Sequence, residues 1–185
     1  GKLAVGVASA GLDARDFGEV DLAQQISASY VISSGNFGAA GSIWDQAWAM
    51  LGLAAASETI PLSATLALEA AQLASGGWGF DAAAEADADS TALALQALAA
   101  AGRGKESPTA QAGLAFLRSL QTGDGGFAGY DGLTSASSTG LVLQALAALG
   151  EKATSLDWTR PMSGTEGASP LMRPTPVDAL LALQS

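Results

Sequence analysis

Two segments of this 185-residue chain repeat one another. Gly76-Gly77-Trp78-Gly79-Phe80 leads into Asp89-Ser90-Thr91-Ala92-Leu93-Ala94-Leu95-Gln96-Ala97-Leu98-Ala99-Ala100, and Gly125-Gly126-Phe127 leads into Ser137-Ser138-Thr139-Gly140-Leu141-Val142-Leu143-Gln144-Ala145-Leu146-Ala147-Ala148. The offset is about 48 residues, a period that belongs to arrays of helical hairpins. One hairpin cannot bury its apolar face alone, so the repeat constrains the fold before any other feature does. Folds of this kind host both catalysts and inert scaffolds, so function has to be argued from particular residues.

The helices alternate in character. Three alanine- and leucine-rich runs, at about 43–56, 87–101 and 135–149, are apolar around nearly the whole helical circumference. A helix of that kind is buried on both sides. Between them lie more amphipathic runs at about 20–33, 61–75 and 108–121, two of which begin at Pro61 and Pro108, where proline suits a helix start. Glycines punctuate the junctions. The reading is an all-α, single-domain chain (1–185) of about four outer/inner helical hairpins, apolar helices inside and half-wet helices outside, with no strand. The first turn is degenerate: Asn36-Phe37-Gly38 stands in for the glycine pair, and Trp44 and Trp48 enter the helix that follows.

The ends read as unpaired elements. Residues 3–12 form an inner helix without a preceding outer partner, and 177–184 an outer helix, with Leu183-Gln184 paralleling Leu120-Gln121. The array is therefore either incomplete or closed by pairing of its terminal helices, within the chain or between two chains as a homodimer, because soluble monomers avoid large uncovered apolar faces. Residues 151–175, with Pro161, Pro170 and Pro174, read as a long irregular connection, either lid-like or a spacer.

Several functions are excluded. The net charge is −10 with eight basic residues, so there is no basic face for nucleic acid. No run is long and apolar enough to span a bilayer. Cysteine and histidine are absent, which removes thiol and imidazole chemistry and every metal site built on them. No cofactor and no metal is expected.

Gln72-x-x-x-Gly76-Gly77-Trp78 and Phe116-Leu117-x-x-x-Gln121 before Gly125-Gly126-Phe127 resemble the glutamine-aromatic repeat of squalene cyclases and related terpene cyclases. The same layout occurs in protein prenyltransferase β subunits and in bacterial prenyltransferase/squalene-oxidase repeat proteins. The likeness runs along nearly the whole chain and is strongest over 61–150. It implies an α/α toroid. It also implies an extracellular or cell-surface bacterial protein, a cytoplasmic one being the alternative. The protein prenyltransferases need zinc on aspartate, cysteine and histidine, and two of those residue types are missing. Gln72 and Gln121, ending outer helices, are expected to satisfy free carbonyls there and to accept from the next helix, while the glycines reverse the chain tightly.

Asp87-Ala88-Asp89-Ser90-Thr91 is the sharpest candidate for chemistry. The same resemblance implies the Asp-x-Asp-Asp-Thr motif of class II cyclases, in which the central aspartic acid protonates an alkene or epoxide. Asp89 would be that acid, Asp87 its partner and Thr91 a support, with Ser90 where the motif has its third aspartate. Such chemistry needs a carboxyl kept protonated in a dry setting. The competing reading is helix capping, since Asp, Ser and Thr are favoured N-caps and the second copy carries Ser137-Ser138-Thr139 there, without an acid. Asp81 and Glu85 extend the acidic stretch, and Asp124 and Asp131 flank the equivalent turn; solvated turns are the expectation. Trp44 and Trp48 share one face of a helix, and with Asp45 and Thr91 they are the expected lining of a ligand cavity.

Three functions follow. The first is a non-enzymatic binding module, taking an apolar small molecule or a protein partner. The second is a class II cyclase-like enzyme or fragment using Asp89. The third is a structural fragment that requires a partner segment.

Overall fold

The computed structural model describes residues 1–38, 41–160 and 173–184. Among them the chain is predominantly helical: α1 Lys2–Ser9, α2 Leu22–Ala28, α3 Ile43–Ala55, α4 Leu62–Ala70, α5 Ala88–Ala100, α6 Pro108–Leu120, α7 Ala136–Ala148 and α8 Pro176–Ala182. A single 3₁₀ turn, Leu156–Trp158, follows α7.

Helices α1, α3, α5 and α7 stand side by side in that order, and α2, α4, α6 and α8 flank them. The apolar runs are the ones in the row. In α5 the side chains of Ala92, Leu93, Ala94, Leu95, Ala97 and Leu98 are wholly buried, because α3 and α7 cover its flanks and α4 and α6 pack outside. Neighbours in the row run in the same sense, since the indole of Trp44 in the first turn of α3 donates to Ser90 Oγ in the first turn of α5 (2.9 Å). The row is not uniformly covered. Leu141 in α7, equivalent to Leu93, is only half-buried, and Gln144, Ala147 and Ala148 are exposed. The apolar circumference of α7 is thus matched by neighbours on one side only. The terminal helices pack on the row, α1 on α2 and α3 and α8 on α7, and no extended contact joins α1 to α8.

Three helices of the row, α3, α5 and α7, start on a side-chain cap. Ser42, Asp87 and Ser135 accept from the amides of Asp45, Ser90 and Ser138, satisfying donors that a helix leaves open at its N-terminus. Four residues beyond these caps stand Gln46, Thr91 and Thr139, all buried. Thr91 Oγ1 accepts from the amide of Trp78 (2.9 Å) and Thr139 Oγ1 from that of Phe127 (3.1 Å). In the first unit Gln46 Oε1 does the same for Phe37 (2.8 Å).

Two expectations are corrected. The strand-free reading of 20–33 fails beyond Ala28: a two-stranded antiparallel hairpin pairs Tyr30–Val31 with Asn36–Phe37. The aromatic and β-branched residues there favour extended backbone, and the ring of Phe37 packs on that of Tyr30 (4.9 Å between centroids) while Gln46 holds its amide. This also sets the register of the first turn. Gly35, with φ +73°, is the counterpart of Gly76 and Gly125, and Phe37 that of Trp78 and Phe127. The second correction concerns α4, which ends at Ala70 rather than near 75, because Leu73 exchanges backbone bonds with the turn at Gly76 and Gly77 (2.8 and 2.9 Å).

The connection 151–175 is pinned at its start. Trp158 is wholly buried, its indole donates to Glu151 Oε2 (3.3 Å), and the Arg118 guanidinium lies over its ring (4.7 Å). Residues 161–172 of that connection, with Pro161 and Pro170, lie outside the described residues.

Candidate functional site

The glutamine-glycine-aromatic turns are clasps. Gln72 Nε2 donates to the carbonyls of Gly76 (2.7 Å) and Thr109 (2.9 Å), and Gln121 Nε2 to those of Gly125 (2.8 Å) and Trp158 (3.0 Å). The amide therefore ties its own turn to the segment that packs next to it. It does not serve the end carbonyls of its own helix, as the sequence suggests. Gly76 and Gly125 both have φ +90°, and a Cβ there would stand 2.7 Å from the Ala112 carbonyl oxygen and 2.6 Å from that of Pro174. No L side chain fits such a backbone at that distance. Gly77 and Gly126 leave the same lack of room, against Phe116 (2.5 Å) and Thr134 (2.3 Å). The aromatics they release are wholly buried: Trp78 donates its indole N–H to the Leu68 carbonyl (2.8 Å), and Phe127 fills the next unit.

Gln46 is the residue that sequence reasoning missed. Its Nε2 reaches the carbonyls of Gly35 (3.0 Å) and Ala64 (2.9 Å), while its Oε1 holds Phe37. One side chain thus carries out what glutamine and threonine share in the other two units. The signal was present: a lone amide in an apolar helix, at the position of Thr91 and Thr139.

At the N-terminal ends of the row the acid candidates separate in role. Asp87 accepts from the amide of Ser90 (2.7 Å) and from its hydroxyl (2.8 Å), and Ser90 in turn accepts from the Trp44 indole (2.9 Å). Asp87 is therefore fully used as an anchor for the start of α5 and its junction with α3. Asp89 lies between α5 and α7 with Oδ1 buried and unpartnered. Burial pushes its carboxyl above the ordinary range, against a hydrogen bond from Ser138 that pulls it down, and the charge of Asp87 adds to the rise. Thr91 is a clasp residue bound to Trp78, and it does not face a ligand space.

Of the expected cavity residues, Asp45 and Trp48 line one groove. A groove of about 460 Å³ opens among α1, α2 and α3, lined by Leu22, Ile26, Phe37, Asp45 and Trp48 among others. Trp44 and Thr91 are not in its lining, nor are Asp87 and Asp89. Trp44 instead packs on Phe80 (5.8 Å). Lys2 lies over both indoles, 5.1 Å from Trp44 and 5.2 Å from Trp48, a contact that the sequence alone did not suggest. The Trp48 indole N–H is buried without a partner.

The remaining charges serve the scaffold. Arg103 pairs with Glu69 (2.7 Å), and Lys105 and Arg118 both pair with Glu151 (3.4 and 3.3 Å). Asp81 accepts from the amides of Ala83 and Ala84, Asp131 from that of Leu133, and Asp124 from Gly126, Thr122 and Thr134. Among the described residues no three carboxylates converge closely enough to hold a metal ion, and no helix is long and apolar enough to cross a membrane. No protein-family model, no curated protein and no solved structure matches the chain.

Proposed function

We propose that this chain is a non-enzymatic binding domain, built as a toroid-like array of the terpene cyclase/prenyltransferase-repeat kind, in a bacterial protein that works at the cell surface or outside it. The observation that carries the reading is the state of Asp87. Both of its oxygens are committed to the start of α5, so the pair of acids that cyclase chemistry would need is reduced to one. The groove beside Trp48 has apolar walls from Leu22, Ile26 and Phe37 and a polar mouth at Asp45 and Gln25. That mixture suits an apolar small molecule or the apolar side chain of a protein partner.

The test has two arms. Titration with an apolar fluorescent dye, anilinonaphthalene sulfonate, gives one saturable site in the wild type, and Trp48→Ala removes it. Incubation with squalene or a linear C20 polyprenyl diphosphate gives no cyclic product by gas chromatography. A dye curve unchanged by Trp48→Ala would end the groove assignment. A second reading, cyclase-like acid catalysis, is favoured by one observation, the raised carboxyl of Asp89 with a free buried oxygen. Cyclic product that disappears in Asp89→Asn would establish it.

A further inference from the structure

Trp44 and Trp48 stand one turn apart on α3, and the Lys2 ammonium lies over both rings, at 5.1 and 5.2 Å. The two indoles are firmly set. Trp44 donates its indole N–H to Ser90 Oγ and leans its ring on Phe80. Trp48 is half-buried, with its indole N–H shut off from water. Lys2, by contrast, is exposed, and its ammonium makes no hydrogen bond and no ion pair with any described residue. A lysine head free to stay in water has come to rest on two indole faces, which marks the spot as one that favours a cation.

The indole pair adjoins the groove among α1, α2 and α3. Trp48 belongs to both, and Asp45, one residue after Trp44 and three before Trp48, lines the groove at its mouth. The Asp45 carboxylate is exposed, and among the described residues it accepts no hydrogen bond and makes no ion pair. The Gly1 amine feels its charge from beyond ion-pair distance. Past the mouth, Leu22, Ile26 and Phe37 offer apolar walls. Cation-binding rings, an unpaired carboxylate and an apolar groove thus meet at one turn of α3.

We infer, resting on the reading of this groove as a binding site, that its ligand is an apolar ammonium compound, a primary or quaternary alkylamine. The charged head lies at Trp48 and Asp45, where Lys2 stands in for it, and the alkyl chain runs along Leu22, Ile26 and Phe37. A neutral ligand leaves Asp45 without a partner, and an anionic one meets it with like charge. The head displaces Lys2, whose ammonium is already exposed and returns to water at little cost.

Three compounds with one tail separate head from chain: octyltrimethylammonium, 1-octanol and octanoate, each titrated below its micelle concentration and followed by tryptophan fluorescence. Salt at about 0.3 M screens the general attraction of a chain of net charge −10. The 185-residue chain should bind the ammonium about tenfold more tightly than the alcohol, and octanoate most weakly. Lys2→Gln, a change at an exposed side chain, raises affinity for the ammonium and leaves that for the alcohol as it was. Asp45→Asn and Trp48→Leu each bring the ammonium down toward the alcohol, and Trp48→Leu keeps an apolar wall for the tail. If Lys2→Gln binds octanol as tightly as the ammonium, the inference is overturned while the groove remains a binding site. If none of the three compounds binds, both fall. A preference for the ammonium that survives Asp45→Asn and Trp48→Leu also overturns it, because the head then lies elsewhere.

Discussion

At the scale of the residue, the fold is held at its turns by a few buried amides. Each clasp glutamine satisfies two carbonyls that would otherwise be closed off from water. Gln121→Ala is expected to cost about 1–3 kcal/mol in urea unfolding, since removing one partner strands the other. Gln46→Ala, which loses three bonds, belongs at the top of that range or above it. Asp89 gives a pH signature. Burial holds its carboxyl above the ordinary value, with Asp87 adding to it, so the folded chain binds that proton more tightly than the unfolded chain does. Stability from this group is therefore full below the unfolded value, about pH 4, and lost as pH rises through the folded one. Unfolding midpoints for wild type and Asp89→Asn should coincide in acid, with the variant becoming the more stable of the two toward neutral pH. A constant gap at every pH would contradict the burial of Asp89. The acid pair at 87 and 89 was visible in the sequence. That Asp89 is the buried carboxyl of the two was not, because its setting depends on α7 and on Ser138, 49 residues further along the chain.

At the scale of the element, helix starts were more legible than helix ends. Ser42, Asp87, Ser107 and Ser135 are local signals, and each caps the helix it precedes. Ser135→Ala should cost about 1 kcal/mol, whereas Phe127→Ala, which empties a wholly buried site, should cost about 3–5 kcal/mol by the same denaturation measurement. If the two costs were equal, the turn aromatic would not be the core residue of its hairpin. The ends of α2 and α4 were misjudged for one reason. Apolar periodicity continues past Ala28 and Ala70, but the backbone there is claimed by other partners: Tyr30–Val31 pairs with Asn36–Phe37, and Leu73 exchanges bonds with Gly76 and Gly77.

At the scale of the whole molecule, protection follows place in the row. Helix α5 has helices on both sides in the row, while among the described residues α1 and α7 each have a row neighbour on one side. Amide hydrogen exchange should be slowest in α5 at 93–98 and fastest in α1 and α8, because local opening needs less area to be exposed at the ends. Uniform exchange across the helices would mean that the chain opens only as one unit.

The sequence by itself determined the helical class, the alternation of greasy and half-wet helices, and the glycine-aromatic turns, because periodicity, glycine and N-caps act over distances of a few residues. Only the tertiary structure decided which apolar faces find cover, since burial is a property of neighbours and not of composition. Leu93 and Leu141 carry the same local code, yet Leu93, in a helix flanked by α3 and α7, is wholly buried and Leu141, in a helix that has only α5 beside it in the row among the described residues, is half-buried. It likewise decided that Trp44 leans on Phe80 and not into the groove beside Trp48, and that a single glutamine at position 46 carries the first turn.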